Sequence, residues 1–310
     1  MNESRKNIFR EILAIAMGTL MVLVAELANE KEIIFPEIAA LVIGAWYMKL
    51  QPWAVSKVRF VALITASSII GILIVRYISI PMYFKIMLAF FITSLLITLS
   101  KTTFMPLISA CILPIYMGTT SVIYPISVFV MALIIAVGEK ILEDKNIRNY
   151  KLYEKKSLEK TYIVGWIVRY VMFAIMLIPV VLVNKLFLLA PPLIVAFIEF
   201  TYINGKCRTN YKKIFGLLFF AGLVGAAFRY ANILFNIPLT ICALLVLILI
   251  FTMFAVLEVA FPPVGAIALL PLIINSNSVW EYPIYITIGS AVVIGLAFLV
   301  FNKRTQSYIK

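Results

Sequence analysis

Long apolar runs alternate with short polar stretches along the whole chain. Twelve of these runs approach the roughly 20 residues that an α-helix needs to cross a membrane. They lie near residues 8–28, 33–49, 58–77, 82–100, 103–119, 121–138, 161–184, 187–204, 213–230, 238–257, 259–275 and 282–301. The pattern predicts an all-α, polytopic helical membrane protein with about 12 hydrophobic segments, some of them short or re-entrant.

The stretch at residues 139–160 is the one candidate linker. It mixes charges of both signs, among them Glu139, Lys140 and Asp144, and it separates six apolar runs from six others. This arrangement predicts a first membrane repeat at 1–138, a solvated cytoplasmic linker at 139–160 and a second membrane repeat at 161–310.

Composition supports lipid as the solvent for most of the chain. Of 310 residues, 64% are hydrophobic and only 13% are charged, whereas soluble chains carry roughly 25% charged residues. The chain has 27 lysine and arginine residues against 14 acidic ones. Most of the positive residues fall on one side if the N-terminus is cytoplasmic, which predicts a multi-pass protein of the cell membrane with N-terminus, linker and C-terminus cytoplasmic. Nucleic acid is therefore not an expected partner.

Prolines recur at a nearly fixed interval in the two halves. Pro36 precedes Pro191 by about 155 residues, and Pro106 precedes Pro263 by about 157. This spacing predicts two parallel repeats. A second interval of about 70 residues separates the two prolines within each half, Pro36 from Pro106 and Pro191 from Pro262. This interval is compatible with nested 3+3 inverted repeats. The alternative is that proline simply favours the first helical turn.

The proline-led segments are also the main candidates for a binding site. A short helix that starts within the bilayer exposes free backbone N–H groups and a partial positive charge, and such an end can hold an anion. We expect the four helix starts to converge on a cavity near the midplane, unless they are ordinary tilted spans with proline at the interface. The candidate substrate-binding residues are Pro36, Glu37, Pro106, Pro191, Pro192, Glu199, Pro262, Pro263 and Gly265.

Charged residues within the apolar segments are costly and therefore point to function. Glu199 is predicted to be the deepest acid. Glu37 is expected towards the outer face, where it could simply complement the dipole of its helix. Lys101 and Glu258 occupy corresponding positions in the two halves and are candidates for a cytoplasmic gate, unless both are solvated at the interface.

Residues for catalysis or metal binding are scarce. The chain has no histidine, and Asp144 is its single aspartate. Its cysteines, Cys111, Cys207 and Cys242, form no CxxC pair. We therefore expect no enzyme activity, no catalytic residue, no metal and no cofactor.

Several short motifs resemble the HPP family of integral membrane proteins. They are Leu189-Ala190-Pro191-Pro192-Leu193, Gly205-Lys206-Cys207-Arg208-Thr209-Asn210, then Gly216, Gly222 and Gly225, and finally Ala260-Phe261-Pro262-Pro263-Val264-Gly265-Ala266. The first half resembles the same module more weakly, so the chain is similar to a tandem duplication of it. Phe261 stands where the family motif has histidine. The resemblance implies an α-helical membrane fold and a transport role, but nitrite transport, known for some members, is not carried over to a chain without that histidine.

These observations favour a membrane transporter or channel for a small solute, with a small-molecule or inorganic anion as the first candidate. The alternative is a non-transporting membrane scaffold or a subunit of a larger membrane complex. Expected partners are the solute, the lipid bilayer and a second copy of the chain in a homo-oligomer.

Overall fold

The computed structural model describes residues 2–155 and 160–302, with the backbone alone at Lys160 and Thr161. This part of the chain is helical and contains no strand. Its α-helices are α1 (Glu3–Leu27), α2 (Glu37–Val42), α3 (Lys57–Tyr77), α4 (Met82–Leu99), α5 (Pro106–Met117), α6 (Ile123–Asp144), α7 (Lys160–Leu182), α8 (Pro191–Thr201), α9 (Lys206–Thr209), α10 (Tyr211–Phe235), α11 (Leu239–Leu257), α12 (Pro262–Leu269) and α13 (Tyr282–Val300). A π-helix at Ile43–Tyr47 continues α2, and a 3₁₀ turn at Leu270–Leu272 continues α12.

Eight of the described helices are long and apolar enough to cross a membrane: α1, α3, α4, α6, α7, α10, α11 and α13. The other four predicted segments contain the shorter helices α2, α5, α8 and α12. At 1.5 Å per residue, α12 spans only about 12 Å, against a hydrocarbon core of roughly 30 Å. The described part of the chain therefore supports a multi-pass helical membrane protein with eight candidate spanning helices, while the full set of about 12 segments stays a prediction.

Polar contacts mark the two ends of the helix bundle. At one end, Glu3 pairs with Lys49 at 3.4 Å, and Lys57 pairs with Glu143. We call this the near end. At the other end, the Thr119 hydroxyl donates to Glu32, and Lys185 pairs with Glu281 at 2.8 Å. We call this the far end.

The short helices form the centre of the bundle. Helix α2 packs against α12, and α8 packs against α5, so each contact joins the two halves of the chain. Every residue of α2 and of α12 is buried. The long helices surround this centre and expose apolar side chains such as Leu27, Val58 and Leu182 on their outer faces, as expected of helices that contact lipid.

In the first half, proline shapes the contact between α3, α5 and α6. Pro114 lies inside α5 and has no N–H to donate to the carbonyl of Ala110, four residues earlier. The Tyr124 hydroxyl donates to that carbonyl instead, at 2.9 Å. Gly71 of α3 approaches the same helix so closely that a Cβ there would overlap the carbonyl oxygen of Cys111. A glycine is therefore required at this crossing.

The second half contains the same arrangement. Pro271 cannot donate to the carbonyl of Ile267, and the Tyr282 hydroxyl donates to it at 2.9 Å. Gly225 of α10 approaches the helix so closely that a Cβ would overlap the carbonyl oxygen of Ala268. Both halves therefore satisfy a carbonyl freed by proline with a tyrosine from the next long helix.

The described part of the region predicted as a solvated linker is mostly exposed, but two of its charged side chains are buried at the near end. Helix α6 continues to Asp144, and the buried side chains of Glu139 and Arg148 form an ion pair at 2.7 Å. Arg148 also donates to the backbone carbonyl of Gly44 at 3.1 Å. The expectation of a solvated stretch is therefore wrong for these residues, because their charges neutralise one another. Residues 156–159 of the predicted linker lie outside the described part.

Candidate functional site

A cavity of about 520 Å³ lies between the two halves and is lined by residues of α2, α5, α8 and α12. Its deeper part is lined by Glu37 and Ala40 of α2, Ser109 of α5 and Ala266 of α12. Near-end residues, including Gln51, Lys206 and Glu258, line its mouth. The lining is mostly apolar with a few polar groups, and the volume falls in the range of small-molecule sites, about 300–1,000 Å³.

The structure brings most of the sequence-predicted site residues to this cavity. Its lining includes Glu37, Pro106, Pro192, Glu199, Glu258, Pro262 and Pro263. Pro36, Pro191, Gly265 and Lys101 do not line it. Pro36 and Pro191 precede lining residues and are themselves buried. The four helix starts thus lie around one space, although not every proline faces it.

Glu37 is the most buried acid of the cavity and lies where the start of α2 meets the first turns of α5. Its side chain is 1% exposed. One carboxylate oxygen, Oε1, accepts a hydrogen bond from the Ser109 hydroxyl, while Oε2 has no partner. The structure thus buries Glu37 inside the bundle, while its expected position towards the outer face of the membrane stays a prediction.

Glu199 lies nearer the mouth and is only partly buried, so it is not the deepest acid as predicted. The Trp53 side chain lies near its carboxylate, and both residues line the cavity. The thiol of Cys207 donates to the Glu199 backbone carbonyl at 3.2 Å. Burial raises the pKa of Cys207 to about 12, so this thiol stays protonated and is a poor nucleophile at neutral pH.

A buried arginine lies close to Glu199 but not in the cavity lining. Arg169 of α7 donates to the Thr201 hydroxyl at 2.7 Å. Its guanidinium lies over the rings of Trp166, Tyr202 and Phe301, at 5.3, 4.8 and 5.5 Å from their centroids. Such contacts stabilise a buried cation. Glu199 therefore has a positive neighbour.

The two gate candidates do not meet. Lys101 and Glu258 are both exposed, and each has a positive φ, 54° and 55°, at the end of its helix. Among the ion pairs of the described residues, none joins them. Glu258 lines the mouth of the cavity, whereas Lys101 lies away from it. A gate formed by direct pairing is therefore absent from this conformation.

Gly265 has a packing role in the structure. A Cβ at this position would lie 2.5 Å from Cδ1 of Ile43 and 3.0 Å from Cβ of Ala39. A side chain at position 265 would therefore require Ile43 to move, so glycine favours the close approach of α12 to α2. The residue shapes the wall of the cavity from behind rather than contacting its content.

Aromatic side chains close the bundle beyond the cavity on the far-end side. The Tyr116 hydroxyl donates to the carbonyl of Leu189 at 2.9 Å, joining the two halves. The ring of Phe187 lies between those of Tyr116 and Tyr282, with centroid distances of 6.3 and 6.1 Å. The cavity therefore opens towards the near end, whereas packed aromatic side chains close the bundle at the far end.

Comparison of the chain with protein-family models, with curated proteins and with solved structures finds no match. The resemblance to the HPP family consequently stays a prediction from the motifs. The site has to be interpreted from its own geometry.

Several cavity residues were not anticipated from the sequence, among them Ser109, Gln51 and Trp53. Ser109 is a single hydroxyl in the apolar first turns of α5, and Gln51 and Trp53 lie in the connection before α3. Gln51 is 7% exposed, and its Nε2 has no partner. Two signals were available in the sequence. Ser109 is a hydroxyl close to the helix-initial Pro106, and Trp53 is a tryptophan in a connection that contains proline.

Proposed function

We propose that the protein is a transporter for a small solute that binds in the cavity between the two halves. The observation that supports this most directly is the cavity itself, with buried polar atoms at Glu37 and Gln51 that have no protein partner. Buried polar groups are normally hydrogen-bonded, so these atoms suggest a ligand. A scaffold would have no need of such a space.

We further propose that the halves are parallel copies related by an axis through this cavity. The matched pairs Tyr124 with Ala110 and Tyr282 with Ile267 support the duplication. The contacts between central helices of different halves, α2 with α12 and α8 with α5, support it as well. Two similar units around a central site can expose it alternately to either side by rocking against each other. Nested inverted repeats stay a prediction.

In this proposal the near end faces the cytoplasm. Lys49, Lys57 and Arg148 lie at this end, as do Arg208 and Lys213 of the second half, and positive residues favour the cytoplasmic side. The described conformation is then open inward. Transport requires the contact between Tyr116 and Leu189 at the far end to open in turn.

The proposal is tested by flux into proteoliposomes across a panel of organic cations, organic anions and inorganic anions. Ala40→Phe places a ring in the cavity and should abolish flux. The matched control Ala255→Phe adds the same ring on an exposed face of α11 and should leave flux unchanged. A folded Ala40→Phe variant that transports normally, or a wild-type protein that moves no member of the panel, would contradict the proposal.

A further inference from the structure

We propose that the cavity takes a small organic cation, and that the Glu37 carboxyl group exchanges a proton for this cation. The inference rests on the transport function proposed above and names its substrate class and coupling ion.

The first step concerns the charge of Glu37. The Ser109 hydroxyl donates to one oxygen of its carboxylate, and the other oxygen has no partner although the residue is only 1% exposed. An ionised carboxylate in such surroundings costs several kcal/mol unless a positive charge lies beside it. The carboxyl group must therefore hold a proton or face a cation that enters the cavity.

The second step is that, among the residues that the structure describes, no lysine or arginine acts on the charge of Glu37. The ionisable groups near it are the phenols of Tyr124 and Tyr282, and both already donate to backbone carbonyls. Helix α12, which packs against α2, contains no titratable side chain. Glu199 differs, because Arg169 lies near it. Glu37 is thus the acid that needs an external partner.

The third step concerns the chemistry of the partner. A metal ion takes several oxygen or nitrogen ligands, and in the described part of the chain no three His, Cys, Asp or Glu residues come together for one. The lining combines carboxylates with apolar side chains and the rings of Trp53 and Phe261, and its two lysines, Lys151 and Lys206, are exposed at the mouth. Aromatic faces attract organic cations. In the deeper part, away from these lysines, an organic cation with an apolar body matches the lining, whereas an anion there would face the Glu37 carboxyl group.

The exchange balances in atoms and charge. When the cation enters from the near end, the O–H bond of the protonated Glu37 carboxyl breaks, and the proton leaves to water through the mouth. The carboxylate and the cation then form a neutral pair inside the bundle. Release of the cation requires a proton to return to Glu37, so one proton replaces one cation without net charge movement.

Calorimetry on the purified full chain tests this exchange with benzyltrimethylammonium as the cation, phenylacetate as the anion and benzyl alcohol as the neutral probe. Titrations in buffers of different ionisation enthalpy should show release of about one proton per cation bound. Glu37→Gln keeps an oxygen for Ser109 and should weaken cation binding at least about tenfold, or ~1.4 kcal/mol, with no proton release. The control Glu32→Gln, at the far end outside the cavity, should behave as wild type.

A second measurement needs no variant. Dicyclohexylcarbodiimide reacts with protonated carboxyl groups in apolar surroundings, and mass spectrometry of peptides locates the product. We expect labelling of Glu37 that benzyltrimethylammonium slows and phenylacetate does not. Failure to label Glu37, protection by phenylacetate alone, or unchanged cation binding in Glu37→Gln would overturn the proposal.

The two proposals fail in different ways. Cation binding with proton release but no flux of any solute would refute transport and leave the exchange site standing. Flux of an anion that Glu37→Gln does not alter would support transport and overturn the exchange site.

Discussion

Removing the Tyr124 hydroxyl tests whether its hydrogen bond to the carbonyl freed by Pro114 stabilises the centre of the bundle. Tyr124 is 3% exposed, and its hydroxyl satisfies the Ala110 carbonyl that Pro114 leaves without an N–H. Tyr124→Phe keeps the ring but leaves a buried carbonyl unpaired. Such a loss costs about 1–3 kcal/mol. The control Tyr230→Phe removes an exposed hydroxyl and should lower the free energy of unfolding by less than about 0.5 kcal/mol.

A double-mutant cycle isolates the cause. Pro114→Ala restores a backbone N–H that can donate to Ala110, so in this background Tyr124→Phe should cost less than about 0.5 kcal/mol. The free energy of unfolding is measured in mixed micelles by titration with dodecyl sulfate and tryptophan fluorescence. An undiminished cost of Tyr124→Phe in the Pro114→Ala background would refute the reasoning.

Two further substitutions test the packing of the near end and of the central helices. Arg148→Met leaves the buried Glu139 without its ion pair and should lower the free energy of unfolding by about 3–5 kcal/mol, whereas Lys49→Met removes an exposed pair and should cost under about 1 kcal/mol. Equal effects would contradict the burial of this pair. Gly265→Ala should lower the free energy of unfolding by about 1–3 kcal/mol, because the added Cβ meets side chains of α2 and the π-helix that follows it. The control Gly216→Ala has open space around it and should be neutral or stabilising by about 0.5–1 kcal/mol. The same unfolding titration measures both variants, and a neutral Gly265→Ala would contradict the close approach.

The sequence predicted parts of the site correctly where a residue type has a strong preference for one local position in a helix. Proline at the start of a helix is such a case, since its missing N–H fits the first turn, and the structure starts α5, α8 and α12 at Pro106, Pro191 and Pro262. The cavity then forms among these starts. Acids were harder to place, because the surroundings of Glu37 and Glu199 depend on helices from other parts of the chain.

The polar contacts across long sequence separations could not be predicted. Ser109 contacts Glu37 from 72 positions away, and Arg148 donates to Gly44 from 104 positions away. Read locally, residues 139–148 are charged and therefore expected in water. Glu139 and Arg148 of this stretch are nevertheless buried, because the packed helices bring their complementary charges together.

The sequence by itself determined the helical membrane class and the positions of the apolar segments, because hydrophobicity and the length of a run are properties of contiguous residues. Tertiary structure decided which segments are long helices and which are short central ones. It also decided that Gly265 packs while Ser109 lines the cavity, and that the Glu37 carboxylate is left with one unpartnered oxygen. Those outcomes depend on how distant helices cross, and close packing fixes the surroundings of each side chain.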